Sequence, residues 1–191
     1  MIWWKEGLHD CLKIAELGQE GGCFTVFKGY FVEEREVIIL KNRVKLKGLF
    51  SLISQQGLPE DIVQWIEEVN QNTPFHLLTE MAVSELQPDV AVVTVMVQEK
   101  HKNPRGIAHG GVIMSLADTA MGMAIRTKGY VGTTVEMNIN FLEPVTVGEE
   151  IKAIGKVIKW GKNIIVCECD VRGDAKLVAK ARGTFYLVDR K

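Results

Sequence analysis

Between Asn103 and Asp118 the chain sets an amide, an imidazole, two glycines and a carboxylate at fixed spacing: Asn103-Pro-Arg-Gly-Ile-Ala-His109-Gly110-Gly111, then Asp118. Apolar or small residues fill most positions from 110 to 127, so Gly110 and Gly111 open a helix. Unpaired N–H groups and the positive end of the dipole gather at such a start, and glycine lets a ligand reach the backbone. An oxygen gaining negative charge suits such a donor; a plain loop-to-helix turn is the alternative. Asp118 falls in mid-helix among mostly apolar side chains, where a carboxylate is costly unless paired or hydrogen-bonded. It is either ion-paired, to Arg126 or to another chain, or a base or nucleophile with a raised pKa. His109 is either a general base or, as better fits a glycine pair at a helix start, the residue that holds the loop by hydrogen bonds. Asn103 either orients water or substrate or simply forms the turn before Pro104.

Spacing adds a deduction. Nine residues separate His109 from Asp118, about 13.5 Å of rise and about 900° of rotation, hence opposite faces of the helix. One chain cannot easily aim both at one carbonyl. A symmetric dimer can, with Gly110 of one subunit facing Asp118 of the other.

The elements that must position these residues follow from periodicity. Pro59 and two acids open a helix over 59–72, with Ile62, Trp65, Ile66 and Val69 as its apolar stripe. Thr73-Pro74 reads as an N-cap and first residue of a short helical turn containing Phe75, Leu77 and Leu78. Strands are expected at about 80–86 and 90–98, with Pro88-Asp89 between them. The helix over 110–127 is expected to be buried on nearly every side. Four long strands follow, at about 133–142, 149–160, 163–172 and 176–188, with Gly161-Lys162 as a two-residue turn, glycine supplying positive φ, and Gly173-Asp174 as a second turn. Two strands, one buried helix and four antiparallel strands give an α+β layer fold, a sheet curved around one long helix. Residues 59–191 form that domain. Residues 1–58, with eight basic and seven acidic side chains, form an N-terminal extension of unassigned role. It has a short helix over 5–17 and two or three strands drawn on Phe24, Val26, Tyr30, Val32, Val37, Ile39, Val44 and Leu46.

Composition excludes several classes. At 191 residues the chain has room for one domain with an appendage. Hydrophobic residues at 47% and charged residues at 25% describe a globular chain. A net charge of -1 argues against nucleic acid as the main partner. No apolar run is long enough to cross a bilayer. Lys5, Glu6, His9 and Asp10 interrupt any signal-peptide core, which predicts a cytoplasmic protein. Cys11, Cys23, Cys167 and Cys169 show no metal-ligand spacing and read as reduced packing residues.

Taken together, residues 73–188 resemble the hotdog-fold acyl-CoA thioesterases, in particular the phenylacetate-pathway (PaaI-like) branch. The resemblance rests on Asn-x5-His-Gly-Gly-x6-Asp from Asn103 to Asp118, on Thr134-Val-Glu-Met-Asn-Ile-Asn-Phe-Leu-Glu-Pro144, and on Gly148-Glu149. It implies hydrolysis of an acyl-CoA thioester to a free acid and CoA. Asp118 looks like the catalytic carboxylate, base or nucleophile, and Gly110 like the oxyanion donor through its N–H. Asn103 and His109 look like the residues that place the thioester and the loop, and Thr134 like the hydroxyl that places the water. Asp118 and Thr134 would come from the subunit opposite Asn103, His109 and Gly110. The resemblance also implies that CoA lies along Phe141, Leu142 and on to Thr146, and at Lys159, Gly161 and Lys162, with Gly111 beside the thioester. Pocket lining is expected from Met114 and Met121. The expected assembly is a homodimer, with a homotetramer as the larger alternative. No metal or redox cofactor is expected, because thioesters are already activated and water is the co-substrate. A non-catalytic acyl-CoA sensor is the competing reading. A hydratase is disfavoured, because His109 stands at the wrong distance from Asn103-Pro104 and no Asp stands two before Asn103.

Overall fold

The computed structural model describes residues 37–40, 43–46, 53–174 and 176–190. The chain divides into two units, Met1–Phe50 and Ser51–Lys191. In the first, β1 (Val37–Leu40) and β2 (Arg43–Leu46) pair antiparallel, Val37 opposite Leu46 and Leu40 opposite Arg43. These are two of the strands expected there. The helix expected over 5–17 and the strands drawn on Phe24–Val32 lie outside the described residues.

The second unit is a seven-stranded sheet holding one long helix. Its elements are β3 (Ser54–Gln55), α1 (Glu60–Asn72), α2 (Pro74–Thr79), β4 (Ala82–Gln87), β5 (Val90–Met96), a 3-10 turn, α3 (Gly110–Arg126), β6 (Tyr130–Phe141), β7 (Glu150–Trp160), β8 (Ile164–Gly173) and β9 (Lys176–Arg190). The strand order is β3-β4-β5-β7-β8-β9-β6, so β6 closes one edge. All neighbours are antiparallel except β3, which runs parallel to β4. Ile53 is buried in the core and Ser54–Gln55 join the sheet, so the body of the protein begins ahead of residue 59.

Alternation builds the sheet: β7 reads exposed, buried, exposed along Glu150–Val157. Its inward face takes α3, and the closest approach is at Gly155. A Cβ there would lie 2.4 Å from the carbonyl carbon and oxygen of Ala120. Ala117, Ala120 and Ala124, all fully buried, keep that side of the helix thin. α1 buries Ile62, Val63 and Ile66, with Trp65 and Val69 half-buried. Pro59 caps that helix instead of starting it, while Thr73 and Pro74 open α2 as expected.

Two expectations need correction. First, α3 is not buried on nearly every side. Gly111, Met114, Ser115, Asp118, Thr119 and Gly122 form an open stripe, with Met114 40% exposed. The sheet wraps one side of the helix, and in one chain nothing among the described residues wraps the other. Met114 and Met121 therefore part company: Met121 is a fully buried core residue beneath Gly183, while Met114 stands on the open stripe. Second, the β7–β8 turn spans three residues, and Gly161 does not take positive φ. Its N–H donates to the Ile164 carbonyl at 2.9 Å, and a Cβ would sit 2.5 Å from that oxygen. Space, not φ, demands glycine. In the other turns Asp89 (φ 66) and Asp174 (φ 45) take the left-handed positions.

Cys167 and Cys169 point inward together and are free and fully buried. Burial pushes both thiols up to about 12, helped by Asp89 for Cys167 and Asp170 for Cys169. Such thiols pack and do not react. Among the described residues no helix is long and apolar enough to cross a membrane.

Candidate active site

The loop before α3 is held from within and from both sides. Asn103 Oδ1 accepts the Arg105 N–H at 2.9 Å, and the Asn103 carbonyl accepts the Gly106 N–H at 2.9 Å. That is the turn-forming role, and the side-chain amide nitrogen is left for other partners. The His109 N–H donates to the His101 carbonyl at 2.7 Å, and the Ala108 N–H to the Val145 carbonyl at 2.8 Å. His101 is buried, its Nδ1 accepting the Gln98 N–H at 3.1 Å. Sequence reasoning did not single out His101, because its role depends on which strand lies beside it.

His109 is the N-cap of α3, and its Nδ1 accepts the Gly111 N–H at 2.9 Å. The loop-holding role is the one formed. With Nδ1 accepting, Nε2 is the ring nitrogen left to donate, on a side chain that is exposed. Gly111 N–H is thus taken by His109, while the Gly110 N–H has no protein acceptor among the described residues. The ring of Phe141 lies directly against Gly110: a Cβ there would be 3.1 Å from Cζ.

Asp118 sits half-buried on the open stripe, and its Oδ1 accepts the Thr134 hydroxyl at 2.8 Å. The ion pair with Arg126 is not formed. That guanidinium lies 5.0 Å from the Trp65 ring centroid, and burial lowers its pKa. A bulge in β6 delivers Thr134 to Asp118. Thr134 pairs with Phe185 and Glu136 with Thr184, so Val135 is the extra residue, 62% exposed. Past it, Met137, Ile139 and Phe141 oppose Gly183, Ala181 and Ala179 on the inward face. Had Val135 taken a place in the ladder in unbroken alternation, Thr134 would share the outward face with Asn138 and Asn140.

The β6–β7 loop braces this arrangement. Glu149 accepts the Thr146 hydroxyl at 2.7 Å, the Thr146 N–H at 2.8 Å and Lys176 Nζ at 3.0 Å. Lys176 also donates to the Pro144 carbonyl at 2.9 Å, and Val145 between them holds Ala108. The Thr146 hydroxyl, the Thr146 N–H and then Lys176 hold Glu149 down at about 2, below the ordinary 4.5. A depressed carboxyl contributes stability above its ordinary value and loses it as pH falls through the folded value. Glu149→Gln is therefore expected to lower Tm at neutral pH, and the gap to wild type should close as pH falls from about 5 toward 2. Thermal unfolding across that range measures it; a gap independent of pH would assign Glu149 no such role.

The remaining predicted residues lie elsewhere. Phe141 and Leu142 are about half exposed at the Gly110 end of α3. Lys159, Gly161 and Lys162 lie at the opposite end. The C-cap Thr127 accepts the Asp89 N–H at 2.9 Å, and Asp89 accepts the Trp160 indole N–H at 2.8 Å. Seventeen residues of helix, about 25 Å, separate the two ends. Gly161 and Lys162 line a shallow cleft of about 510 Å³ with Asp89, Lys128, Tyr130, Trp160, Leu187 and Arg190, Lys128 being ion-paired to Asp89 at 3.4 Å. The Tyr130 and Trp160 rings are 5.5 Å apart, and the Arg190 guanidinium lies 5.1 Å from the Tyr130 centroid. Lys159 is exposed beside this cleft but does not line it.

One chain thus offers a backbone donor at Gly110 and a hydroxyl-bound carboxylate at Asp118, eight residues or about 12 Å apart along one helix. No carbonyl can lie within hydrogen-bond reach of both in the same chain.

Known proteins carry the same architecture. The Thioesterase superfamily model matches residues 105–179. Mouse acyl-coenzyme A thioesterase 13 is 30% identical over 115 residues, 58% of this chain and 82% of that protein. The E. coli PaaI protein from the phenylacetic acid degradation operon superimposes with a TM-score of 0.67 at 26% identity, covering 71% of this chain and 99% of that one. A Streptococcus mutans protein crystallised with acetyl-CoA bound is similar at a TM-score of 0.56 and 26% identity, covering 58% and 90%. The chain belongs to the thioesterase superfamily: it is a hotdog-fold, PaaI-like thioester hydrolase.

Proposed function

We propose that the chain hydrolyses acyl-CoA thioesters to a free acid and CoA at sites shared between two copies. The observation that carries this is the 12 Å separation of two half-sites, each complete in itself. At one, the Gly110 N–H is open beside a Gly111 N–H already capped by His109. At the other, Asp118 is oriented by Thr134. Two antiparallel α3 helices meeting across the open stripe bring Gly110 of one copy level with Asp118 of the other.

In that site the thioester oxygen accepts the Gly110 N–H, which stabilises the charge that develops there as the carbonyl carbon is attacked. Asp118 of the second copy either takes a proton from the attacking water or attacks the carbon itself. Thr134 fixes the carboxylate and places the water. With Asp118 as base, the water oxygen forms the new C–O bond as the C–S bond breaks; with Asp118 as nucleophile, its oxygen forms that bond first, and water then cleaves the resulting mixed anhydride, releasing the acid and restoring the carboxylate. CoA leaves as the thiolate and takes up the proton that water gave. Asn103, through its side-chain nitrogen, and His109, through Nε2–H, position the thioester. The reaction calls for no metal or redox cofactor, since the thioester is activated and water is the co-substrate.

The same antiparallel placement assigns the CoA contacts. With Gly110 level with Asp118 of the second copy, the far end of that copy's α3 lies about 12 Å further on. Its cleft of Tyr130, Trp160, Gly161 and Lys162, with Lys159 beside it, offers aromatic faces and cations to an adenine and its phosphates. Leu142 to Thr146 line the path from the Gly110 side. The unreactive thiols Cys167 and Cys169 fit a reducing compartment, the cytoplasm.

CoA release from short, medium, long and aryl acyl-CoAs, followed with a thiol-trapping dye, tests this and names the acyl class. Turnover of at least one, by a species sedimenting as a dimer or tetramer, is expected. Binding of these thioesters without release of CoA would make the fold a receptor and overturn the proposal.

A further inference from the structure

We propose that Phe141 is a positioning residue for the oxyanion donor, its ring forming the wall that fixes how a thioester carbonyl meets the Gly110 N–H. The proposal rests on the assignment of that N–H to the thioester oxygen.

Three atoms of the ring edge lie at the place a Gly110 side chain would take. A Cβ would be 3.1 Å from Cζ, 3.4 Å from Cε1 and 3.6 Å from Cε2. Glycine at 110 therefore does more than open a helix: it admits an aromatic ring against the first turn. Phe141 is no core residue, being 52% exposed at the last position of β6. Its inward orientation is set by the register beyond the Val135 bulge, where it faces the small, buried Ala179. One strand thus hands Thr134 to Asp118 and, seven residues on, Phe141 to Gly110. These two contacts serve the two different shared sites of a dimer.

A flat apolar wall beside a lone N–H has a definite consequence. It keeps water from that side of the donor and limits the directions from which an oxygen can approach. A hydrogen bond in such a dry setting gains most where the acceptor gains charge, in the transition state. Loss of the wall should therefore appear in kcat. A ring that only touched CoA would contribute equally to ground and transition states, and its loss would appear in KM.

Phe141→Ala, Phe141→Leu and Phe141→Tyr, made in the full chain, separate these roles. The readouts are kcat and KM on an acyl-CoA that wild type turns over, the Kd of free CoA, and Tm. Phe141→Ala is expected to lower kcat by about 10- to 100-fold, below the loss typical of removing a donor outright, with KM and CoA affinity within about twofold. Phe141→Tyr puts a hydroxyl on Cζ, the ring atom nearest Gly110, and so breaks the apolar wall while keeping the ring; kcat should fall there too, with KM and CoA affinity kept. If Phe141→Ala melts before it can be assayed, Phe141→Leu, which keeps apolar bulk without the flat face, is read by the same split. A rise in KM and CoA Kd with kcat unchanged overturns the proposal, as does no change at all. Asp118→Asn assayed alongside tells which assignment has failed. Wild-type turnover by that variant sinks the site itself. An inactive Asp118→Asn beside a fully active Phe141→Ala sinks only the role of the ring.

Discussion

Asp118→Asn is expected to lower kcat by about a hundredfold or more, the scale of a lost acid–base group or nucleophile. The substitution keeps the volume and one oxygen, so Thr134 still has an acceptor for its hydroxyl. Asp118 stands on the open stripe of α3, outside the core, so Tm should change little. The shared site adds a sharper expectation. Asp118→Asn and Gly110→Val should each be inactive as pure dimers, the second because a branched side chain displaces Phe141 and crowds the donor. Unfolded and refolded together, they should regain activity. A mixed dimer joins the wild-type Gly110 of one chain to the wild-type Asp118 of the other at one of its two sites. Random pairing makes half the dimers mixed, so about a quarter of wild-type turnover is the ceiling. Two folded, inactive variants that never complement each other would show that each chain builds its site alone. Full activity in Asp118→Asn itself would remove the carboxylate from the chemistry.

Much of this site is local in the sequence, and that part was legible. The N-terminus of α3 is marked by two glycines followed by an apolar run, and the strands from β6 to β9 by alternation between turn residues. What escaped depends on partners distant along the chain. Ser54–Gln55 are polar and only two residues long, so nothing local marks β3; it exists because β4 offers it an edge. The bulge at Val135 is invisible in Thr133-Thr134-Val135-Glu136, since a slip of register leaves no trace in residue types. His101 and Glu149 matter through the backbone groups brought beside them, which no spacing rule supplies. The open face of α3 is hard to read because buried positions, Ala117, Ala120 and Ala124 among them, occupy most of the helix circumference and leave only a narrow stripe between them. Gly111, Ser115, Asp118, Thr119 and Gly122 recur at helical spacing, and that small and polar stripe was the available sign of a face left open.

The two helix-facing glycines should respond with opposite signs. At Gly155→Ala the new methyl would sit 2.4 Å from the Ala120 carbonyl carbon and oxygen and 2.6 Å from the Met121 nitrogen. Those are backbone atoms in mid-helix, so no rotamer change relieves the clash, and α3 must lift off β7 along with its buried alanines. The cost should exceed ordinary overpacking, at about 3 kcal/mol or more. For a chain of this size that is a fall in Tm of roughly 6–12 °C. Gly122→Ala has nothing within 4 Å of its new methyl in one chain. Replacing a mid-helix glycine there should stabilise the subunit by about 1 kcal/mol. With Gly110 level with Asp118 of the second copy, Gly122 lies about 6 Å past the start of that copy's α3, so the dimer should be unaffected and the gain the same at both protein concentrations. Thermal unfolding of both variants at two concentrations decides. A Gly155→Ala protein melting within about 2 °C of wild type would mean that α3 does not rest on β7 at this glycine. A Gly122→Ala protein that loses stability, or whose Tm becomes more dependent on concentration, would mean that the second copy's α3 covers this position, and the two half-sites would have to meet in another register.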